Sequence, residues 1–489
     1  MNNFWDFEVW GLLNIVAVLL SALLLANVLK RKIGFLRVSL IPTSVLGGLI
    51  LLVISLTYYL ITGNVMFDTE FFGGDGLQTM ELITYHTLAL GFIATTLKSS
   101  KKTKSKERGK EIFNTGVTTV STYLIQAIFG LGITMLVALI ATDFFTAAGV
   151  LLPFGFGQGT GQALNYGMIY ENDYGFVGGK SFGLTVAALG FLSASIGGVI
   201  YLNVMKRKGK IKLMPEQTEK LTGKDVQEDD EIPMNGSMDK LTVQLAFVLV
   251  AYILSFLAMY GLGLLLPGMK SVIFGFNFLI GVLTATLVKV VLKLLKKKSV
   301  VKRQYINNFL LTRTSNFFFD VMVVAGIAAI RLELIKDYWA VLLILGVVGL
   351  VITYFYNLLV AKVLFKKYEH EQFLMMYGML TGTASTGIIL LREIDGEFKT
   401  PAAENLVFQN FPAIVFGFPM MLLATLAPKE PVLTLIILVA FFAVMNLLLF
   451  RAQIFRRGKK AVAPLSDEHV AQSDEQGAEQ DDKQKEENV

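Results

Sequence analysis

The chain has 489 residues, of which 54% are hydrophobic and 17% charged, against about 25% charged in a soluble globular chain. That composition excludes a water-soluble enzyme of several domains, and the absence of cysteine excludes a disulfide framework, a thiolate zinc site and a cysteine nucleophile. The net charge of +6 hides an asymmetry, because residues 466–489 hold nine acids and two bases, and without them 42 cations face 29 acids. These cations sit in short runs between apolar stretches, a pattern of membrane orientation and not of nucleic-acid binding.

The N-terminus, MNNFWDFEVW, has no Lys or Arg ahead of its first apolar run, so it lacks the basic start of a cleaved signal peptide and its first span should be retained. Runs near the roughly 20 residues that cross a bilayer fall at 9–29, 39–62, 81–97, 112–141, 181–205, 241–266, 271–295, 305–330, 338–364, 404–427 and 432–450. The run 81–97 carries Glu81, Thr84, His86, Thr87, Thr95 and Thr96, so it is expected inside the bundle, covered by neighbours. Two further stretches, 144–170 and 373–391, are apolar but interrupted by glycine and small polar residues, and each reads as a hairpin that enters and leaves on one side.

With both hairpins in place, the loops at 30–38, 98–111, 206–240, 293–303, 362–372, 392–400 and 451–460 share one side and hold 35 Lys and Arg, while the opposite segments hold five. The positive-inside rule then makes the basic side cytoplasmic, with the N-terminus outside and the C-terminus inside. Full crossings at both stretches would move the basic loops from 206–240 to 362–372 outside.

The expected architecture is an all-α polytopic membrane protein of two inverted-topology repeats, each of five spans plus a hairpin. The first occupies 1–205 and the second 241–427. A solvated linker at 206–240 joins them, an extra span follows at 428–460, and the acidic tail 461–489 is expected to be disordered. Inverted repeats are a transporter architecture, with sites at their discontinuous segments.

In the first hairpin, LPFGFGQGTGQALNYG, glycines at alternate positions each cost about 1 kcal/mol in a helix. The backbone is therefore expected to unwind there, and unwound backbone inside a membrane is tolerated only where protein covers it or where it lines a cavity. Freed carbonyls suit a hard cation and half-helix N-termini suit an anion, which makes Gly157, Gln158, Gly159, Thr160 and Gly161 candidate substrate-binding residues. No GK[ST] follows, so a phosphate loop is excluded. The second hairpin, YGMLTGTASTGIILLRE, offers Gly382, Thr383, Ser385 and Thr386 in the same way.

The motifs GQGTG at 157–161 and GTASTG at 382–387, with LPFGFGQGTGQA followed by a span containing SASIGG at 193–198, resemble the sodium/glutamate symporter family of bacteria. The likeness covers roughly residues 9 to 427. It implies two inverted five-helix units with re-entrant hairpins, a homodimer, and Na⁺-coupled uptake of glutamate. Gly157, Gly159, Thr160 and Gly161 match the family's first motif, and Gly378, Gly382 and Thr386 its second. Gln158 stands where the family has histidine, Ser385 where it has proline, and the eleventh span and acidic tail are extra.

Asp320 lies about 22 Å along its span, where an aspartate costs about 3 kcal/mol and by default marks a functional site. It is the leading candidate for a cation, and Thr160 and Thr386 are added as possible Na⁺ ligands. Arg313, two turns earlier on nearly the same face, either holds a substrate carboxylate or pairs with an acid such as Asp320. His86 either titrates or shares hydrogen bonds with Thr84 or Thr87. Gln409, Asn410 and Glu404 are within reach of the second hairpin, and Lys289 should snorkel.

An intramembrane enzyme needs paired acids or a nucleophile with its base, and neither is present. The reading is a secondary transporter in a bacterial plasma membrane that needs no cofactor beyond Na⁺ as coupling ion. It carries a small organic anion, glutamate or a related dicarboxylate first, and has no nucleic-acid partner. The alternative is a Na⁺/H⁺ or organic-anion antiporter on the same scaffold.

Overall fold

The structure, a computed structural model, describes residues 3–98, 106–213, 226, 230–234, 238–267, 270–275, 277–300, 303–395 and 399–455. The tail 461–489 and most of the linker lie outside these residues.

Among the described residues all regular structure is helical and no strand forms. The first membrane segment contains α1 (Phe7–Lys32), α2 (Thr43–Thr62), α3 (Gly76–Leu97) and α4 (Lys106–Ile140), then the short α5 (Leu151–Gln158) with α6 (Thr160–Tyr174), and α7 (Gly179–Arg207). After the linker come α8 (Lys240–Leu265), α9 (Lys270–Gly275), α10 (Asn277–Lys297), α11 (Asn308–Ala328) and α12 (Trp339–Leu364). The chain continues through α13 (Glu369–Thr381), α14 (Ala384–Arg392), α15 (Ala402–Phe408), α16 (Asn410–Leu426) and α17 (Pro431–Leu449). Residues Met1–Met445 form one compact unit, and Asn446–Val489 a second, in which the end of α17 and a short helix, Arg451–Phe455, are described.

Nine of the described helices are long and apolar enough to cross a bilayer, or ten if α15 and α16, bent by 54°, count as one span. The third expected span, 81–97, is helical but more polar than these, and α3 is indeed enclosed: Leu88, Ala89, Ile93, Ala94 and Leu97 are buried. It packs along α10 and α11, and Gly91 leaves room for the ring of Phe319. The hydroxyls of Thr84, Thr87, Thr95 and Thr96 each return to a backbone carbonyl one turn earlier, so apolar surroundings leave no donor unmet. By contrast α1, α2, α8, α10 and α12 keep large apolar side chains exposed, among them Leu24, Ile61, Ile253, Leu283 and Phe355, as helices that face lipid do.

Lys289 does not simply extend to water. Its Nζ donates to the carbonyls of Thr96 and Lys98 at 2.8 and 2.7 Å, where the negative end of the α3 dipole favours a cation.

The linker departs from the solvated connection that its composition suggests. Glu231, 3% exposed, accepts from Lys240 Nζ at 2.7 Å and from Asn307 Nδ2 at 2.6 Å, and the backbone of residues 230–232 pairs with Gln304. The end of the linker is thereby bound to the loop before α11. Composition did not reveal this because the acid that makes the anchor, Glu231, is indistinguishable in sequence from the solvated acids beside it.

Candidate functional site

Both glycine-interrupted stretches break and fold back. In the first, α5 ends at Gln158 and α6 starts at Thr160, with Gly159 between them at φ 79°, ψ −170°. An L side chain is strained there, which is why the sequence has glycine. The rings of Phe154 and Tyr166 stack at 3.8 Å, which requires the two arms to lie side by side. In the second, α13 stops at Thr381 and α14 begins at Ala384. Its arms touch through small residues: a Cβ on Gly378 would sit 2.8 Å from the Gly387 Cα, and one on Gly387 would sit 2.5 Å from the Met375 oxygen.

The two turns meet. A Cβ at Gly159 would lie 3.3 Å from Thr383 Cγ2 and 3.7 Å from the Gly382 oxygen. Helix α7 supports both from one side, since a Cβ at Gly190 would be 2.6 Å from the Thr381 oxygen and 3.1 Å from Phe156 Cα. Helix α4 holds both from another. Tyr123 donates its hydroxyl to the Gly157 carbonyl at 3.1 Å, and Gln126 Nε2 donates to the Leu380 carbonyl at 2.9 Å and to Thr353 Oγ1 at 2.8 Å. These carbonyls belong to the last turns before the breaks, where helical geometry leaves no partner. Helix α11 closes the third side: Thr160 Oγ1 donates to the Met322 carbonyl at 3.4 Å, and Gly326 leaves room for the Thr160 side chain.

At this junction two helices end in carbonyls, α5 and α13, and two begin with free amides, α6 and α14. The ends therefore supply positive poles for an anion and negative poles for a cation within one small region. Thr160 and Thr386 are fully buried, and Thr383 Oγ1 lies 3.4 Å from Thr386 Oγ1. Gln158 and Thr383 are half-buried and Ala384 is exposed, so the junction is open on one side. Ser385 lies on α14, but its side chain is outside the described residues.

Arg313 and Asp320 are not part of this junction. Met322 lies two residues beyond Asp320, about 200° around the helix, so the face of α11 that meets Thr160 is opposite the one that carries Asp320. Asp320 is exposed and has Ser44, in the first turn of α2, beside it, where it faces that helix's positive end. Arg313 is exposed too, with its guanidinium 5.0 Å from the ring centre of Phe309, and forms no ion pair among the described residues. The expected pairing of Arg313 with Asp320 or another acid is thus not formed among the described residues. His86 bonds Tyr252 OH through Nδ1 at 2.7 Å, and not the neighbouring threonines.

Gln409 does reach the second hairpin, donating to Met379 Sδ at 3.4 Å while accepting from Thr119 at 2.9 Å. Glu404 instead bonds Arg108 at 2.8 Å. The polar side of α4 is the feature that sequence reading passed over. Thr115, Thr119, Thr122 and Gln126 follow one face of that helix, bonding Gln372, Gln409, Asn357 and Thr353 in turn and ending at the hairpins. The signal was the run TGVTTVSTYLIQ at 115–126, too rich in hydroxyls for a span that only faces lipid.

Among the described residues no group of three His, Cys, Asp or Glu side chains is placed to hold a metal ion. Any cation at the junction would be held by neutral oxygens.

Many apolar spans, with two broken segments that meet inside the fold, define a multi-pass membrane transport protein. The chain belongs to the sodium/glutamate symporter family, whose sequence model matches residues 10–398. The match takes in both hairpins and stops short of α15 and α16, which the likeness in sequence had been expected to include. No curated protein and no solved structure matches the chain. The family is one of transporters, not enzymes, and sodium and glutamate are the species its name joins.

Proposed function

We propose that the protein is a Na⁺-coupled symporter that brings glutamate, or a closely related amino-acid dicarboxylate, across a bacterial plasma membrane. The observation that carries this reading is the contact between Gly159 and Thr383, which joins the two helix breaks of a sodium/glutamate symporter family member into one polar junction. The amides that open α6 and α14 receive the substrate carboxylates, with Gln158 and Thr383 at the accessible side and Gly157, Gly161, Gly382, Ser385 and Thr386 shaping the walls. Na⁺ is held nearby by neutral oxygens, Thr160 and Thr386 among them. Asp320, on α11, lies against the start of α2 and not at this junction, and Arg313 lies apart from it as well.

The two halves are inverted repeats about this junction, with the N-terminus outside and the C-terminus in the cytoplasm. That orientation rests on the 35 to 5 split of cations between the two sets of loops. The working unit is a homodimer in the bilayer. The antiporter reading loses its motive, because Asp320 and His86, the groups that suggested proton exchange, lie away from the hairpins.

Purified protein in liposomes, given an inward Na⁺ gradient, is expected to accumulate labelled glutamate and to lose that uptake when the gradient is collapsed or replaced by K⁺. Uptake that ignores Na⁺ would overturn the coupling, and uptake of other organic anions in preference to glutamate would overturn the cargo.

A further inference from the structure

Behind the first hairpin, on the side of α6 turned away from α7, three buried amides leave oxygens without a partner. Gln162 is 1% exposed and neither atom of its amide finds one; Asn165 and Asn277, both 0% exposed, each leave Oδ1 unmet. A buried polar atom without a partner gives up its hydrogen bonds to water, so such atoms on adjoining elements call for an occupant.

The register around α6 brings them together. Gly161 meets Leu88 of α3, Ile169 meets Gly275 of α9, and Tyr166 donates to the Met421 carbonyl of α16. At 100° per residue Asn165 and Gln162 fall between these directions, one turn apart on the same side. Asn165 Nδ2 donates to the Gly275 carbonyl at 3.1 Å. Asn277, at the start of α10, donates through Nδ2 to the Tyr85 carbonyl of α3 at 2.9 Å, and Tyr85 in turn donates its hydroxyl to the Phe274 carbonyl at 2.8 Å. The groups thus sit where α3, α6 and α9–α10 adjoin.

For Asn165 and Asn277 the identity of the unmet atom does not depend on how the amide is oriented, while Gln162, with both atoms unmet, is free to turn its oxygen toward them. Carbonyls only accept, so the nitrogens of Asn165 and Asn277 must face Gly275 and Tyr85, and oxygen is what each side chain has left. The carbonyls of Phe274 and Gly275 each keep a second lone pair, whereas that of Tyr85 already accepts from its own helix and from Asn277. Glu81, one turn from Tyr85, is already engaged by Lys180 at 2.9 Å and by Arg331 at 3.8 Å. The donor set is all oxygen and carries no net charge, which suits a hard monovalent cation and not a divalent one, whose sites are built from carboxylates.

We infer that Gln162, Asn165 and Asn277 form a Na⁺ site at the back of the first hairpin, separate from the hairpin junction. The ion ties α6 to α3 and α10, so its occupancy sets how firmly the hairpin is held. Sodium as the occupant rests on the symport reading above; the site rests on the unmet oxygens.

The test uses the full chain in nanodiscs and in liposomes. Thermal unfolding is followed in NaCl against choline chloride at equal ionic strength, and glutamate uptake is followed against Na⁺ concentration. The wild type is expected to be stabilised by Na⁺. Asn165→Leu and Asn277→Leu, close in shape, are expected to raise the half-effective Na⁺ concentration by about tenfold in both assays, the loss of one charge-assisted contact. Asn277→Asp is expected to lower it, because a carboxylate adds charge to the same ligand position.

Folded Leu variants with an unchanged Na⁺ response overturn the site even where the wild type transports, as does a wild type that does not distinguish Na⁺ from choline, the behaviour of a buried water. If Na⁺ stabilises through Asn277 but drives no glutamate uptake, the site stands and the symport reading falls. Should both Leu variants fail to fold, an unshifted Asn277→Asp overturns the site.

Discussion

Two parts of this molecule carry the features that mark function in a membrane chain, and they differ in kind. At the hairpin junction everything is neutral: backbone ends, threonine hydroxyls and amides, held by Tyr123, Gln126 and Gly190. On the outer face of α11 the groups are charged, Arg313 and Asp320, yet they are exposed, one over a phenyl ring and the other against the start of α2. The difference teaches that charge at membrane depth is a weaker guide than a broken backbone. A charge there can be settled by one helix end, whereas an unwound segment needs partners from several elements at once.

The largest effect is expected at Gly159. Valine there is forced into a φ, ψ pair open to glycine alone and pushes against Thr383, so Gly159→Val should cut the initial rate of Na⁺-driven uptake by about a hundredfold, the equivalent of ~3 kcal/mol. Next comes Gln126→Leu, which leaves the Leu380 carbonyl and the Thr353 hydroxyl unserved. At about 1–3 kcal/mol for such a loss, uptake should fall about tenfold while gel filtration shows an intact protein. Tyr123→Phe removes a single bond to the first hairpin and should cost uptake a few-fold, in line with ~0.5–1.5 kcal/mol. Asp320→Asn should do least. It weakens the contact with the start of α2, lowering stability by up to ~1 kcal/mol in thermal unfolding, and leaves uptake within about twofold. A reversed order, with Asp320→Asn abolishing uptake and Gln126→Leu tolerated, would invert the comparison and revive proton exchange.

The spans, the enclosed α3 and the two breaks were legible because each follows from local composition: apolar length, hydroxyls within a span, glycines at alternate positions. What lies across from a residue was not legible. Asp320 could be placed along its helix from sequence, but the neighbour on its face, the first turn of α2, is a tertiary fact. The meeting of Gly159 with Thr383 is another, joining segments far apart in the chain. Gln126 was hidden for a third reason: a lone glutamine in a long apolar run looks incidental until Leu380 is seen to need a donor. The hydroxyl-rich run 115–126 was a readable sign of a polar, protein-facing side of α4, and it points to the same place.

Because the chain has no cysteine, a single introduced thiol reports on one position alone. The most direct test of the junction as the substrate site is the labelling rate of Thr383→Cys by a small polar maleimide, with and without glutamate in saturating Na⁺, beside Arg313→Cys. Glutamate should slow labelling at position 383 several-fold and leave position 313 unchanged. Protection at 313 with none at 383 would contradict the account.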